Sequence, residues 1–303
     1  MKVYACRYGC YEALGRGFDS PRLHSNNSQA GVATSGYTSS MEEKYFTNLN
    51  TKTIGRKVQC HKKVTSTNDL GWLEVSRGAK EGTVILADEQ LKGRGRFGRD
   101  WFSPARKGIW LSVVLYPSHF PEETFLLMSI GALAVADLLK NKFNLPASIR
   151  WPNDVIINNK KIAGIIVESK YINKSPNATV MGIGLNIDIP DAEMPPDLKD
   201  ITTSLTKETN KAASIGIKEI AADLICLLDK WHDKIINQEL KTIQDAWRSF
   251  SSVLNKSVSV KIKDKFLEGK IVDLDPCKGF ALLEPDGNTR WWRGETVEML
   301  RLI

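Results

Sequence analysis

The segment Asp88–Trp101, DEQLKGRGRFGRDW, constrains the fold of this chain more than any other. Three glycines, Gly93, Gly95 and Gly98, alternate with three arginines, Arg94, Arg96 and Arg99. Glycine weakens helix and strand interiors, yet it lets a backbone bend through positive φ and lets a ligand come close. Arginine offers a rigid fork of donors that matches phosphate and carboxylate oxygens. The segment follows the apolar run Thr83–Ala87, so it reads as a mobile loop leaving a strand and closing over an anion. On these residues alone the anion is open: a small-molecule phosphate, the phosphates of a nucleic acid, or merely solvent around a basic loop.

Composition narrows the choice. The chain has 303 residues, enough for a large core and two domains. Its net charge of +7 is compatible with nucleic acid, but no Lys/Arg block with interleaved aromatics accompanies it. An enzyme handling ATP or an acidic partner gives the same sign. The five cysteines are odd in number and scattered, which predicts reduced thiols in a cytoplasmic protein. The four histidines form no metal-binding pair, so no zinc site is expected. No apolar run is long enough to span a membrane.

Residues 1–40 differ from the remainder. They hold few periodic aliphatic residues and no apolar signal-peptide core, so an unstructured leader is expected. The string GRGFDSPRLH at Gly15–His24 resembles the accidental translation of a tRNA gene's T-arm, which makes Met41 the expected native start. From Lys57 onward the chain is well patterned. Strands are expected at Val58–Val64, Thr83–Ala87, Ile109–Tyr116, Ser148–Trp151, Val155–Ile157, Ile162–Ser169 and Val180–Ile187. Ser66-Thr67-Asn68-Asp69 supplies helix-cap chemistry for a helix ending near Gly78. Further helices are expected from Pro121 to Phe143, Lys218 to Asn237 and Leu240 to Phe250. Beyond Asn255 short alternating strands recur, with Pro285-Asp286-Gly287-Asn288 as a turn, and predict a small all-β barrel. The expected division is therefore a leader at 1–40, a catalytic domain at 41–253 and a barrel at 254–303.

Four stretches carry the chemistry: Ser66-Thr67-Asn68, the Gln90–Trp101 loop, RWPND at Arg150–Asp154 with KKIAGIIVE at Lys160–Glu168, and GIGLNI at Gly182–Ile187. Each by itself reads as a cap, a turn or a buried strand. In this order and spacing they resemble the biotin protein ligases, from about Ile54 to the C-terminal segment GFALLEPDGNTRWWRGE. The resemblance implies an α+β fold: a mixed β-sheet flanked by helices, related to the class II aminoacyl-tRNA synthetase core, with a small C-terminal β-barrel. It implies a two-step reaction in which biotin and ATP form biotinyl-5′-AMP and the acyl group passes to a lysine of a biotin carboxyl carrier domain.

The resemblance also implies roles. Arg94 and Arg96 contact biotin and hold the phosphate, flanking Gly95, and Arg99 secures the loop or the triphosphate. Lys161 bridges the biotin carboxylate and the α-phosphate as a point charge. Asp154 orients that lysine or helps place Mg²⁺, which needs few protein ligands. Asn153 and Asn186 lie near the nucleotide, and Trp101 stacks on adenine. Ser66, Thr67, Asn68 and Gln90 grip the ureido ring, with Gly164 beside it. Trp110, Leu111 and Ile165 form apolar walls. A Gly-rich lid that excludes water would protect the mixed anhydride.

The sequence departs from the family pattern in having Arg150 where lysine is common. Its N-terminal segment is too short and unpatterned for a DNA-binding winged helix, so a ligase without repressor function is expected, acting as a monomer or homodimer. The nearest alternative is a lipoate–protein ligase, whose loop usually reads RRxxGGGxVFH; GRGRFGRDW with WPND favours biotin. A basic nucleic-acid-binding module and an inactive interaction protein are the other readings.

Overall fold

The computed structural model describes residues 35–37, 46–117, 123–172, 175–210, 215–263, 265–294 and 296–303. The expected leader and its Met41 start lie outside these residues, except Ser35–Tyr37. That short segment departs from the expectation: it is a strand, β1, on the edge of the main sheet.

The first sheet has eight strands in the order β1-β2-β3-β4-β8-β7-β6-β5. They are Lys57–Val64 (β2), Thr83–Gln90 (β3), Gly108–Leu115 (β4), Ser148–Arg150 (β5), Asp154–Ile157 (β6), Lys160–Ile172 (β7) and Ser175–Asn186 (β8). Only β2 and β3 run parallel, joined by the crossover helix α1 (Thr67–Ser76). The sheet is thus mixed, as expected.

Strand alternation divides it into two chemically different faces. On β4, β8 and β7, Leu111, Ile183 and Ile165 pair across one face, with Val113, Met181 and Val167 beside them. All belong to the main core under helix α2 (Glu123–Asn141). Gly131 lets that helix approach closely, since a Cβ there would stand 3.0 Å from Met181 Sδ and 3.1 Å from Ile165. Helices α4 (Ile217–Ile236) and α5 (Leu240–Phe250) extend the layer, after the short α3 (Leu205–Glu208). The other face carries Gly164, Gly182 and Gly184, and it opens to the site.

Between β6 and β7 the two-residue turn Asn158-Asn159 has φ of 48° and 63°, the paired left-handed geometry of a tight hairpin. The second sheet is β12-β11-β10-β9-β13, antiparallel throughout. Its strands are Ser257–Ile262 (β9), Lys265–Asp275 (β10), Gly279–Leu283 (β11), Thr289–Trp292 (β12) and Met299–Leu302 (β13). Architecture changes at this point but the core does not. Val258, Val260, Ile271 and Phe280 share one apolar cluster with Trp247 and Val253, and Trp151 meets Phe280 edge-on at 4.9 Å. Among the described residues no helix is long and apolar enough to cross a membrane.

Candidate active site

The glycine face of the first sheet forms the floor of a cleft of about 520 Å³. Ser66, Thr67, Asn68, Gln90, Arg94, Gly95, Arg96, Arg99, Trp101, Asn153, Asp154, Lys161, Gly164 and Asn186 all line it. Residues from distant parts of the sequence are brought together here by strand order: β8 sits between β4 and β7, and the first turn of α1 lies over them.

The turn before α1 is both a cap and a wall. Ser66 Oγ accepts the backbone N–H of Asn68 at 3.2 Å, which satisfies a helix-end donor. Gln90 Oε1 accepts from the backbone N–H of Thr67 at 2.8 Å and from its hydroxyl at 3.0 Å. Ser112, fully buried on β4, lies 2.7 Å from Thr67 Oγ1 and 2.6 Å from Asn68 Oδ1. Gly182 makes room for this group, because a Cβ there would stand 2.4 Å from Asn68 Oδ1. Ser112 was missed in the sequence; a lone hydroxyl inside the apolar run IWLSVVL was its signal.

Opposite stands a charged cluster. Lys161 Nζ lies 2.5 Å from Asp154 Oδ1, and Arg150 donates to Asp154 Oδ2 at 3.0 Å. Burial resists ionisation of Asp154, but Lys161 and Arg150 outweigh it and hold the carboxyl below its ordinary range. Asp154 therefore has a cation on each oxygen. Among the described residues no group of three or more His, Cys, Asp or Glu is placed to hold a metal. The ion pair with Lys161 is the contact through which the expected orienting role of Asp154 would act. Asn153 anchors the adjoining turn by donating to Ile165 O at 2.8 Å, and Asn186 donates to Thr203 O at 3.0 Å. The loop after β8 was not foreseen as part of the site, yet Ile201 and Thr203 clamp the Lys161 backbone through bonds of 2.8 and 2.9 Å.

The Gly/Arg loop is a hairpin-like excursion. Gly95 N–H donates to Arg99 O at 2.7 Å and Trp101 N–H to Gly93 O at 2.9 Å. Its tip, Phe97-Gly98, has φ of 58° and 72°. Arg96 reaches across the cleft and donates to Asn153 Oδ1 and to Gly294 O, each at 3.2 Å. It thereby joins the first sheet's turn to the second sheet, whose Val297–Arg301 segment also lines the cleft. Nothing in the sequence pattern placed that segment at the site. Arg99 is exposed on the rim.

Arg94 lines the cleft and is held by acidic partners. Its guanidinium is taken by Glu168, through bonds of 2.7 and 3.0 Å, and by Asp69 at 2.6 Å. Burial disfavours both charges, but their pairing raises the arginine pKa and lowers that of Glu168, with Trp72 also donating to the carboxylate at 2.8 Å. Glu168 was missed as a site residue, although it lies two and four positions beyond Ile166 and Gly164 on the same strand face.

Trp101 lies over the floor glycines. A Cβ on Gly184 would stand 2.3 Å from its Nε1, and one on Gly164 would stand 3.0 Å from its ring. Lys161 Nζ sits 5.0 Å from the ring centroid. Gly164 thus seats an indole and the lysine stem on the floor of the cleft. Leu111 lines the cleft as expected, but Ile165 and Trp110 do not. Alternation turns Ile165 to the helix face and gives its place to Ile166. Trp110 packs behind the wall with Ile189 and Met194, its Nε1 donating to Pro104 O at 3.2 Å.

Residues 58–186 match the family described as the biotin/lipoate A/B protein ligase family. The chain is 30% identical over 237 residues to the bifunctional ligase/repressor BirA of Bacillus subtilis (strain 168), covering 78% of this chain and 72% of that protein. It is 28% identical over 218 residues to the biotin--[acetyl-CoA-carboxylase] ligase of Paracoccus denitrificans, covering 71% and 90%. Among solved structures, the biotin protein ligase from Aquifex aeolicus in complex with biotin and ATP is similar with a TM-score of 0.70 at 27% identity, over 82% of this chain and 100% of that one.

Proposed function

This chain belongs to the biotin/lipoate A/B protein ligase family, and from that premise we propose that it is a biotin–protein ligase acting on a lysine of a biotin carboxyl carrier domain. The observation that carries the reading is the meeting of the Ser66–Asn68 turn, Gln90, Lys161 and the arginine loop in one cleft. Relatives named as biotin ligases, one of them solved with biotin and ATP, favour biotin over lipoate.

The chemistry follows from charge. A biotin carboxylate oxygen attacks the α-phosphorus of ATP, and pyrophosphate leaves with the electrons of the broken P–O bond. Two anions must meet, so fixed cations dominate the catalysis. Lys161, steadied by Asp154, bridges carboxylate and α-phosphate, and Arg96 neutralises charge from the loop side. Mg²⁺ enters with ATP as part of the substrate. In the second step the neutral amine of the acceptor lysine attacks the acyl carbonyl, and AMP departs. Thr67, Asn68 and Gln90 supply the donors and acceptors that a ureido ring needs. Trp101, with Phe102 and Met194 near it, offers the apolar surface for adenine.

We place the protein in the cytoplasm, in keeping with its five scattered cysteines. We read its second sheet as the family's small barrel, its first as the class II synthetase-like core, and its working form as a monomer or homodimer. Ligation is assigned and repression is not. The test is transfer of labelled biotin to a carrier domain with ATP and Mg²⁺, run beside lipoate and beside a duplex-binding control. Labelling with biotin alone is expected; labelling with lipoate alone, or neither, sinks the proposal.

A further inference from the structure

Arg94 and Arg96 are two residues apart, both line the cleft, and take different partners. Arg96 reaches Asn153 and Gly294, whereas the Arg94 guanidinium is held by Glu168 and Asp69. Three of its nitrogens are held: Nε and one terminal nitrogen by the two oxygens of Glu168, the other terminal nitrogen by Asp69. Trp72 fills a further acceptor position of Glu168. The Arg94 and Glu168 side chains are 29% and 19% exposed, so separating them strands two poorly solvated charges. A bidentate arginine–carboxylate pair is also the geometry that fixes orientation as well as distance.

The members of this network sit at informative places. Asp69 follows the Ser66–Asn68 turn directly. Glu168 lies on β7, the strand that carries Lys161 and Gly164. Arg94 is at the base of the loop, where its backbone pairs with that of Asp100 in an isolated antiparallel bridge. One ion cluster therefore ties together the ring-binding turn, the strand of the reactive lysine and the phosphate loop.

We propose that Glu168 is a positioning residue that, through Arg94, clamps the base of the Gly93–Trp101 loop to the Ser66–Asn68 turn, so that Arg96 is aimed at the phosphate and the acyl-adenylate is retained. Arg94 in this arrangement does not touch the reacting atoms. The inference rests on the biotin-ligase reading.

A double-mutant cycle tests it, with Arg94→Ala, Glu168→Ala and the double variant assayed for biotin-dependent ATP–pyrophosphate exchange, transfer to a carrier domain, and release of free biotinyl-AMP. A clamp acting as a unit predicts that each single variant lowers transfer on the order of tenfold to a hundredfold, because a loop misplaced by about 1 Å loses that much, and that the double variant is no worse than the poorer single. The fraction of intermediate lost to solution should rise equally in all three, a readout that general destabilisation does not move. If Arg94→Ala is far worse than Glu168→Ala and the two effects multiply, Arg94 acts on the substrate directly and the proposal is overturned. Should the alanine variants fail to fold, Arg94→Gln, Glu168→Gln and their double preserve volume and carry the same expectations. Wild-type protein without biotin-dependent exchange would count against the ligase reading; an active wild type with multiplicative losses counts against the clamp alone.

Discussion

Lys161 is held by Asp154 on one side and lies over Trp101 on the other, so its ammonium is oriented before any substrate arrives. Two of its three N–H donors remain to meet a carboxylate and a phosphate. Lys161→Ala is expected to lower adenylation by about 10²–10³, the loss seen when one fixed electrostatic donor is removed, and to lower the melting temperature as well, because partly buried Asp154 loses its leading cation. Burst measurements of pyrophosphate release check it; a variant with wild-type rates would remove Lys161 from the chemistry. Gly184 is a second decisive residue. A Cβ at that position would collide with Trp101 Nε1 at 2.3 Å. Gly184→Ala should therefore displace the indole, cost about 1–3 kcal/mol through overpacking, and raise the KM for ATP more than that for biotin. Equal effects on both KM values would show that Trp101 does not serve the nucleotide.

At the scale of elements, a few turns decide where the reactive groups land. The β6–β7 hairpin places Asp154 and Lys161 on adjacent strands, and its Asn158-Asn159 turn does so with two left-handed residues. Asparagine tolerates this conformation and β-branched residues do not. Asn159→Val should destabilise the protein by about 1–2 kcal/mol, whereas Asn159→Gly should be close to neutral, both read from urea unfolding midpoints. The Gly/Arg loop obeys similar logic. Its tip uses Phe97 and Gly98 at positive φ to reverse direction, and the reversal returns Trp101 to the floor of the cleft. Arg96 then links that loop to Gly294, in the turn that follows β12.

Across the whole molecule, buried titratable groups set the dependence of stability on pH. Burial pushes His61 and His232 below their ordinary value of 6.5, and nearby carboxylates only partly oppose it. The folded state therefore binds protons less readily than the unfolded chain. Stability should be undiminished above pH 6.5 and should erode as pH falls below it. Glu74, Asp154 and Glu168 are also depressed: for each, burial is outweighed by hydrogen bonds and nearby cations. They stabilise the fold above their ordinary values of 4.5 and 3.8, and that contribution is lost as pH falls through the lowered folded-state values. Melting temperature from pH 8 to 3 should thus fall in two stages, and His232→Gln should flatten the first. A single fall beginning only below pH 5 would contradict the assignment to the histidines.

The sequence by itself determined most of the elements and the membership of the site. Apolar runs marked β2, β3, β4, β7 and β8, and the Ser66 cap and the Leu240–Phe250 pattern marked helices, because these are local preferences of backbone and side chain. The family-like motifs likewise drew the cleft-lining residues from four separate stretches. Tertiary structure alone decided what each group touches there. That Arg94 is held by Glu168 and Asp69, that Asp154 has a cation on both oxygens, that Trp101 rests on Gly164 and Gly184, and that Arg96 meets the second sheet all depend on which strands are neighbours. Strand order is set by long-range packing, and a linear pattern of residues carries the faces of a strand but not the identity of the strand beside it.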